Sequence, residues 1–100
     1  MIVIYKAPAH APKIIRIDGS KESIREKLGG DFEAFPVLKG AMILCRKEDP
    51  ALPYNVHFMG DCYRGPILLV GRGEKDAPTD LTTQLQVMLS TVLNQKERKA

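Results

Sequence analysis

The chain has 100 residues, 44% of them hydrophobic, which is one domain with enough apolar material to bury a core. Its 15 basic and 12 acidic side chains give a formal net charge of +3. That charge excludes an acidic nucleic-acid mimic and permits a nucleic-acid partner without demanding one. No run of about 18 apolar residues is present to span a membrane. The opening Met-Ile-Val-Ile-Tyr-Lys lacks the basic start and long apolar middle of a signal peptide. Two cysteines, Cys45 and Cys62, are too few for a disulfide framework. Both read as reduced thiols in or near the core of a cytosolic protein.

Ile2 to Lys6 is β-branched and predicts a strand. Pro8 and Pro12 break it, and Ile14-Ile15-Arg16-Ile17 resumes it, which predicts an antiparallel hairpin. Asp18-Gly19 turns the chain. Ser20 is a helix N-cap, Ile24 and Leu28 form one apolar stripe, and Gly29-Gly30 is the stop. Asp31 to Leu38 predicts a strand that Pro36 places at an edge or bulge. Ala41 to Cys45 predicts a buried strand, followed by a charged loop from Arg46 to Pro50. In Tyr54 to Phe58, alternation turns Tyr54, Val56 and Phe58 one way and Asn55 and His57 the other. Gly60-Asp61 turns into Ile67-Leu68-Leu69-Val70, an apolar run between Gly65 and Gly71 that suits a central strand buried on both faces. Those two glycines mark bends or close backbone approaches. A last helix starts at Thr79 or Asp80. Its stripe is Leu81, Leu85, Met88 and Val92, with Leu89 and Leu93 beside them. Lys96, Arg98 and Lys99 form a basic end, and residues 91–100 are expected to fray. The expected core includes Phe32, Ile43, Ile67, Leu69, Leu85 and Met88. The expected fold is α+β: a mainly antiparallel curved sheet of five to six strands with two helices packed on it.

No catalytic constellation is visible. Gly71-Arg72-Gly73 sits between a strand and a helix, but a dinucleotide loop needs a further glycine where Asp76 stands. His10, His57, Cys45, Cys62 and Asp61 lack the short spacings of a metal site. Cys45 ends an apolar strand, where burial raises a thiol's pKa, and Asp61 disfavours a Cys62 thiolate. His57 with Cys62 is the one nucleophile–base pairing worth naming. These residues imply no cofactor, no metal and no enzyme. Lys13, Arg16, Arg64 and Arg72 are candidates for a basic face, with Phe35, Tyr54 and Tyr63 as stacking surface for single-stranded nucleic acid. Scattered solvated charge explains the same residues. The leucines of the last helix read as core packing or as a homodimer face.

The blocks Gly29-Gly30-Asp31-Phe32-Glu33-Ala34, Leu52-Pro53-Tyr54-Asn55, Gly65 to Gly71 and Asp80-Leu81-Thr82 occur in an order that resembles an uncharacterised family. That family is a domain of unknown function of similar length, carried by tailed phages and by bacteria with integrated elements. The resemblance implies a small accessory protein in the cytoplasm of a bacterial host. It also singles out Glu33 and Asn55 as recurrent polar positions, exposed or half-buried. The structural alternative is that Asn55 hydrogen-bonds nearby backbone and pins a turn. The functional expectation is a non-enzymatic binding module for a host or phage protein. The alternative is a nucleic-acid-binding accessory protein. Candidate binding residues are Glu33, Asn55, His57, Arg64 and Arg72.

Overall fold

A computed structural model describes residues 1–46 and 50–98. Its elements are β1 (Ile2–Lys6), β2 (Lys13–Arg16), α1 (Lys21–Leu28), β3 (Phe32–Leu38), β4 (Ala41–Arg46), β5 (Tyr54–Phe58), β6 (Asp61–Arg64), β7 (Ile67–Arg72), β8 (Pro78–Thr79) and α2 (Thr83–Arg98), with a short 3-10 turn at Glu74–Asp76. The main sheet runs β2-β1-β7-β4-β3, β8 pairs with β7, and β5–β6 form a separate pair. Every pairing is antiparallel. This is the expected α+β architecture.

Local chemistry sets the ends of α1. The Ser20 hydroxyl accepts from the Ser23 N–H at 3.1 Å. Gly29 ends the helix at φ 86°, a left-handed conformation that costs glycine little. The Gly29 and Gly30 N–H groups both donate to the Arg25 carbonyl.

As its composition requires, β7 is central. Leu68 and Val70 face one way, into a cluster with Val3, Met42, Leu44 and the α1 residues Ile24 and Leu28. Ile67 and Leu69 face the other way, into a cluster with Ile4, Ile43, Val56, Phe58, Leu81, Leu89 and Leu93. The molecule is therefore layered: α1 on one face of the sheet, α2 and the β5–β6 hairpin on the other. The two glycines flanking the apolar run act as expected. Gly65 turns at φ +71°, and a Cβ on Gly71 would lie 2.1 Å from the Asp80 carbonyl oxygen that crosses there.

Several expectations are corrected. The chain after Gly60 does not enter the central strand directly; it first forms β6, which pairs back on β5 through Met59 and Gly60, both at positive φ. Such a two-residue turn matches the twist of a hairpin. Pro78–Thr79 is a strand, so α2 starts later than expected, with Thr82 Oγ1 accepting from the Leu85 N–H at 3.3 Å. Met88 is 44% exposed, while Leu89 and Leu93 are buried. The apolar stripe on this helix is broader than the face that the sheet covers. Leu85 and Phe32 are half-buried beside the two clusters. Cys62 is exposed rather than near the core, because β6 turns it outward. The β3–β4 register shifts between Pro36 and Leu38, at the sheet edge, as the proline predicts.

Within the expected charged loop, residues 47–49 lie outside the described residues, as do residues 99 and 100 of the expected frayed end. Among the described residues no helix is long and apolar enough to cross a membrane.

Candidate functional site

Alternation along β5 fails at one residue, and that failure organises the region. The register passes from Tyr54 opposite Arg64 to Val56 opposite Tyr63, leaving Asn55 as the extra residue of a β-bulge. The bulge turns Asn55 inward, and it is only 5% exposed. Its amide nitrogen donates to the Lys6 carbonyl at 2.9 Å and to the Gly65 carbonyl at 2.7 Å. Its amide oxygen accepts from Lys6 Nζ at 2.7 Å. Asn55 is thus neither exposed nor half-buried, and it pins backbone far beyond a local turn. It joins the hairpin to β1 and to the lead-in of β7. Lys6 is 0% exposed and donates further to the Ala7 carbonyl at 3.4 Å. Sequence reasoning missed Lys6. The signal was available: Lys6 shares the parity of Ile4 on β1 and so points into the core.

The hairpin covers only part of its sheet face. Beside it lies an open cleft of about 710 Å³ between β3–β4 and β6. Glu33 and Phe35 come from β3, Arg46 from the end of β4, and Pro50 and Leu52 from the following loop. All four residues of β6, Asp61 to Arg64, line the opposite side. Two carboxylates, of Glu33 and Asp61, and the Arg64 guanidinium therefore surround an apolar wall on which Phe35 is 42% exposed, while the side chain of Arg46 shares the α1 face with its ladder partner Phe32. The Arg64 guanidinium also donates to the Leu52 carbonyl at 3.2 Å. A Cβ on Gly30 would lie 2.9 Å from Arg46 Cζ, so the Gly29-Gly30 pair both ends α1 and admits the Arg46 guanidinium.

Cys45 and Tyr63 lie at the junction of cleft and core. Burial, with the negative charge of Glu33 opposite, pushes the Cys45 thiol up to about 11. Burial, with Asp61 and Cys45 nearby, also raises the Tyr63 phenol. Both groups are neutral at pH 7, and neither is a ready nucleophile. Tyr63 is 6% exposed and offers no stacking surface, because it faces Val56 on the inner side of the hairpin.

Of the candidate binding residues, Glu33 and Arg64 both line the cleft. Asn55 lies buried in the tie with Lys6. His57 is exposed, directly across the ladder from Cys62. Arg72 is the last residue of β7, at the far end of the strand, where its guanidinium is paired with Asp76 at 2.6 Å. It borders a smaller depression of about 460 Å³ with Lys39, Asp80 and Met88. Asp61 completes the charge arrangement; sequence reasoning weighed it as a metal ligand and beside Cys62, not as a partner of Glu33 and Arg64. Among the described residues no group of three or more His, Cys, Asp or Glu is arranged to hold a metal ion.

The model of one family, the domain of unknown function DUF3846, matches residues 1–94. The chain belongs to this family. No curated protein and no solved structure matches it. The match takes in every strand of this DUF3846 domain and most of α2, so the cleft and the Lys6–Asn55 tie both lie within the family's own unit.

Proposed function

We propose that this DUF3846 domain is a non-enzymatic binding module whose partner is a protein, and that it binds through the cleft between β3–β4 and β6. The single observation that carries this reading is the composition of that cleft. Phe35, Leu52 and Pro50 supply apolar surface, and the charged side chains of Glu33, Asp61 and Arg64 border it. Protein interfaces combine apolar centres with paired polar rims. A nucleic-acid groove carries an excess of cations, and two carboxylates within it would repel phosphate. The resemblance to domains of tailed phages and integrated elements supports a host or phage protein as the partner, in the bacterial cytoplasm. Val87 and Met88, exposed on the outer side of α2, support a homodimer face as a separate contact; sedimentation at rising concentration tests it.

The test of the main reading is capture of partners from infected or lysogenic cells, with a nuclease-treated control. The expected partner survives nuclease, is lost with Phe35→Ala or Arg64→Glu, and is retained with Arg72→Ala. Capture that disappears on nuclease treatment would overturn the reading in favour of nucleic acid.

A further inference from the structure

The lining of the cleft has an unusual regularity. Asp61, Cys62, Tyr63 and Arg64 are consecutive, yet all four border it. Side chains of a strand alternate between two faces, so four in a row border one cleft only where the strand's edge faces it. The pairing agrees, because among the described residues β6 pairs with β5 alone. In the ladder, Asp61 and Tyr63 pair with Phe58 and Val56, and the Gly65 N–H donates to the Pro53 carbonyl at 2.8 Å. The antiparallel alternation then sends the backbone N–H and C=O of Cys62 and Arg64 the other way, into the cleft. Among the described residues no hydrogen bond meets those groups there.

The two edge strands of the main sheet, β3 and β2, discourage pairing. On β3 there is Pro36 and a register shift; β2 is short and carries Lys13 and Arg16. Both are devices that protect sheet edges from adventitious partners. No proline or bulge interrupts β6 itself. Its edge opens into a cleft rather than onto an outer surface. An extended chain fits such a place, and the folded face of a second copy does not.

Resting on the binding-module reading, we infer that the cleft takes an extended peptide segment of a partner protein, added as a third strand along β6. The segment bonds through its backbone to Cys62 and Arg64. It places an apolar side chain against Phe35 and Leu52. A basic side chain beside it meets Glu33 or Asp61, and an acidic one meets Arg64. Strand addition of this kind draws affinity from main-chain bonds and specificity from the flanking pockets.

Random heptapeptides displayed on phage, selected against the intact domain, test this, with the selected sequences then synthesised. The expected binders carry one apolar residue between charges of opposite sign. In their complexes the Cys62 and Arg64 amides exchange with solvent at least roughly tenfold more slowly, and N-methylation of the facing peptide residue weakens binding by roughly the same factor. The double variant Asp61→Arg, Arg64→Glu, at exposed positions, should select peptides of reversed charge order. Peptides that bind in the cleft with both amides unprotected and N-methylation harmless would overturn strand addition and leave the binding-module reading intact. Failure to select any peptide would also overturn it. The module reading is then decided separately, by whether a nuclease-resistant partner is still captured through Phe35 and Arg64.

Discussion

Asn55 makes three hydrogen bonds in a place that water does not reach. Truncating it strands two backbone carbonyls and one lysine contact at once. Each buried polar group left unsatisfied costs about 1–3 kcal/mol. Asn55→Ala should therefore lower stability by roughly 2–4 kcal/mol in urea melts, far more than a typical surface change. A loss under about 0.5 kcal/mol would show that the tie is not structural. The two thiols should behave oppositely. A thiol reagent should modify Cys62 in the native protein and reach Cys45 only on unfolding, since one is exposed and the other buried. The pH dependence follows from the same burial. A thiol raised from 9.0 to about 11 keeps its proton in the native state after the unfolded chain has lost it. Its contribution is complete below pH 9.0 and is lost as pH rises through about 11. Tyr63 is shifted in the same direction. Stability should fall in that alkaline window, and less steeply in Cys45→Ala, as measured by urea melts across the range.

Among the elements, β7 and α2 give the sharpest contrasts. Leu69 is fully buried on the central strand, and Leu69→Ala should cost about 2–5 kcal/mol. Leu89→Ala belongs in the same range, whereas Met88→Ala, one residue earlier on the same helix, should cost about 0.5 kcal/mol or less. Equal losses at Met88 and Leu89 would mean that α2 is rotated relative to the orientation described above. Gly71→Ala tests the contact that only tertiary structure creates. Its Cβ would clash with the backbone of Asp80, and Ile2 N–H donates to the Asp80 carboxylate at 2.5 Å. That backbone has little freedom to move, so a loss of at least about 1–3 kcal/mol is expected in thermal or urea melts.

At the scale of the whole molecule, the layering explains why a cleft exists at all. One face of the sheet is closed by α1, and the other is shared between α2 and a two-stranded hairpin. The hairpin leaves the β3 end of that face uncovered, with Phe35 exposed at the gap. The charged side chains around the gap, Glu33, Asp61 and Arg64, give it no cationic excess although the chain carries a net +3. Association with DNA or RNA oligomers should therefore be no tighter than the non-specific range of roughly 10⁻⁴ to 10⁻⁶ M at physiological salt, and indifferent to Arg64→Ala or Arg72→Ala. Fluorescence anisotropy across a salt series measures this. Submicromolar binding that either substitution abolishes would make nucleic acid the partner.

The sequence by itself determined the parts governed by local chemistry. The Ile67 to Val70 run is apolar at every position, so it had to be buried on both faces. Ser20 and Gly29 bound α1 because capping bonds reach only a few residues. Pro36 marked an edge because it cannot donate to a ladder. What only the tertiary structure decided depends on contacts between distant residues. The bulge at Asn55 breaks the alternation because Lys6 and Gly65, 49 and 10 residues away, offer it hydrogen bonds that no neighbour could. Lys6 is buried for the reciprocal reason. Leucine and methionine give the same periodic signal on α2, and the choice between Met88 and Leu89 falls to the sheet face that packs there. Of the candidate site, Glu33 and Arg64 were legible as residues but not as neighbours. A strand pairing and a short hairpin, neither of them encoded at either position, bring the two to one cleft.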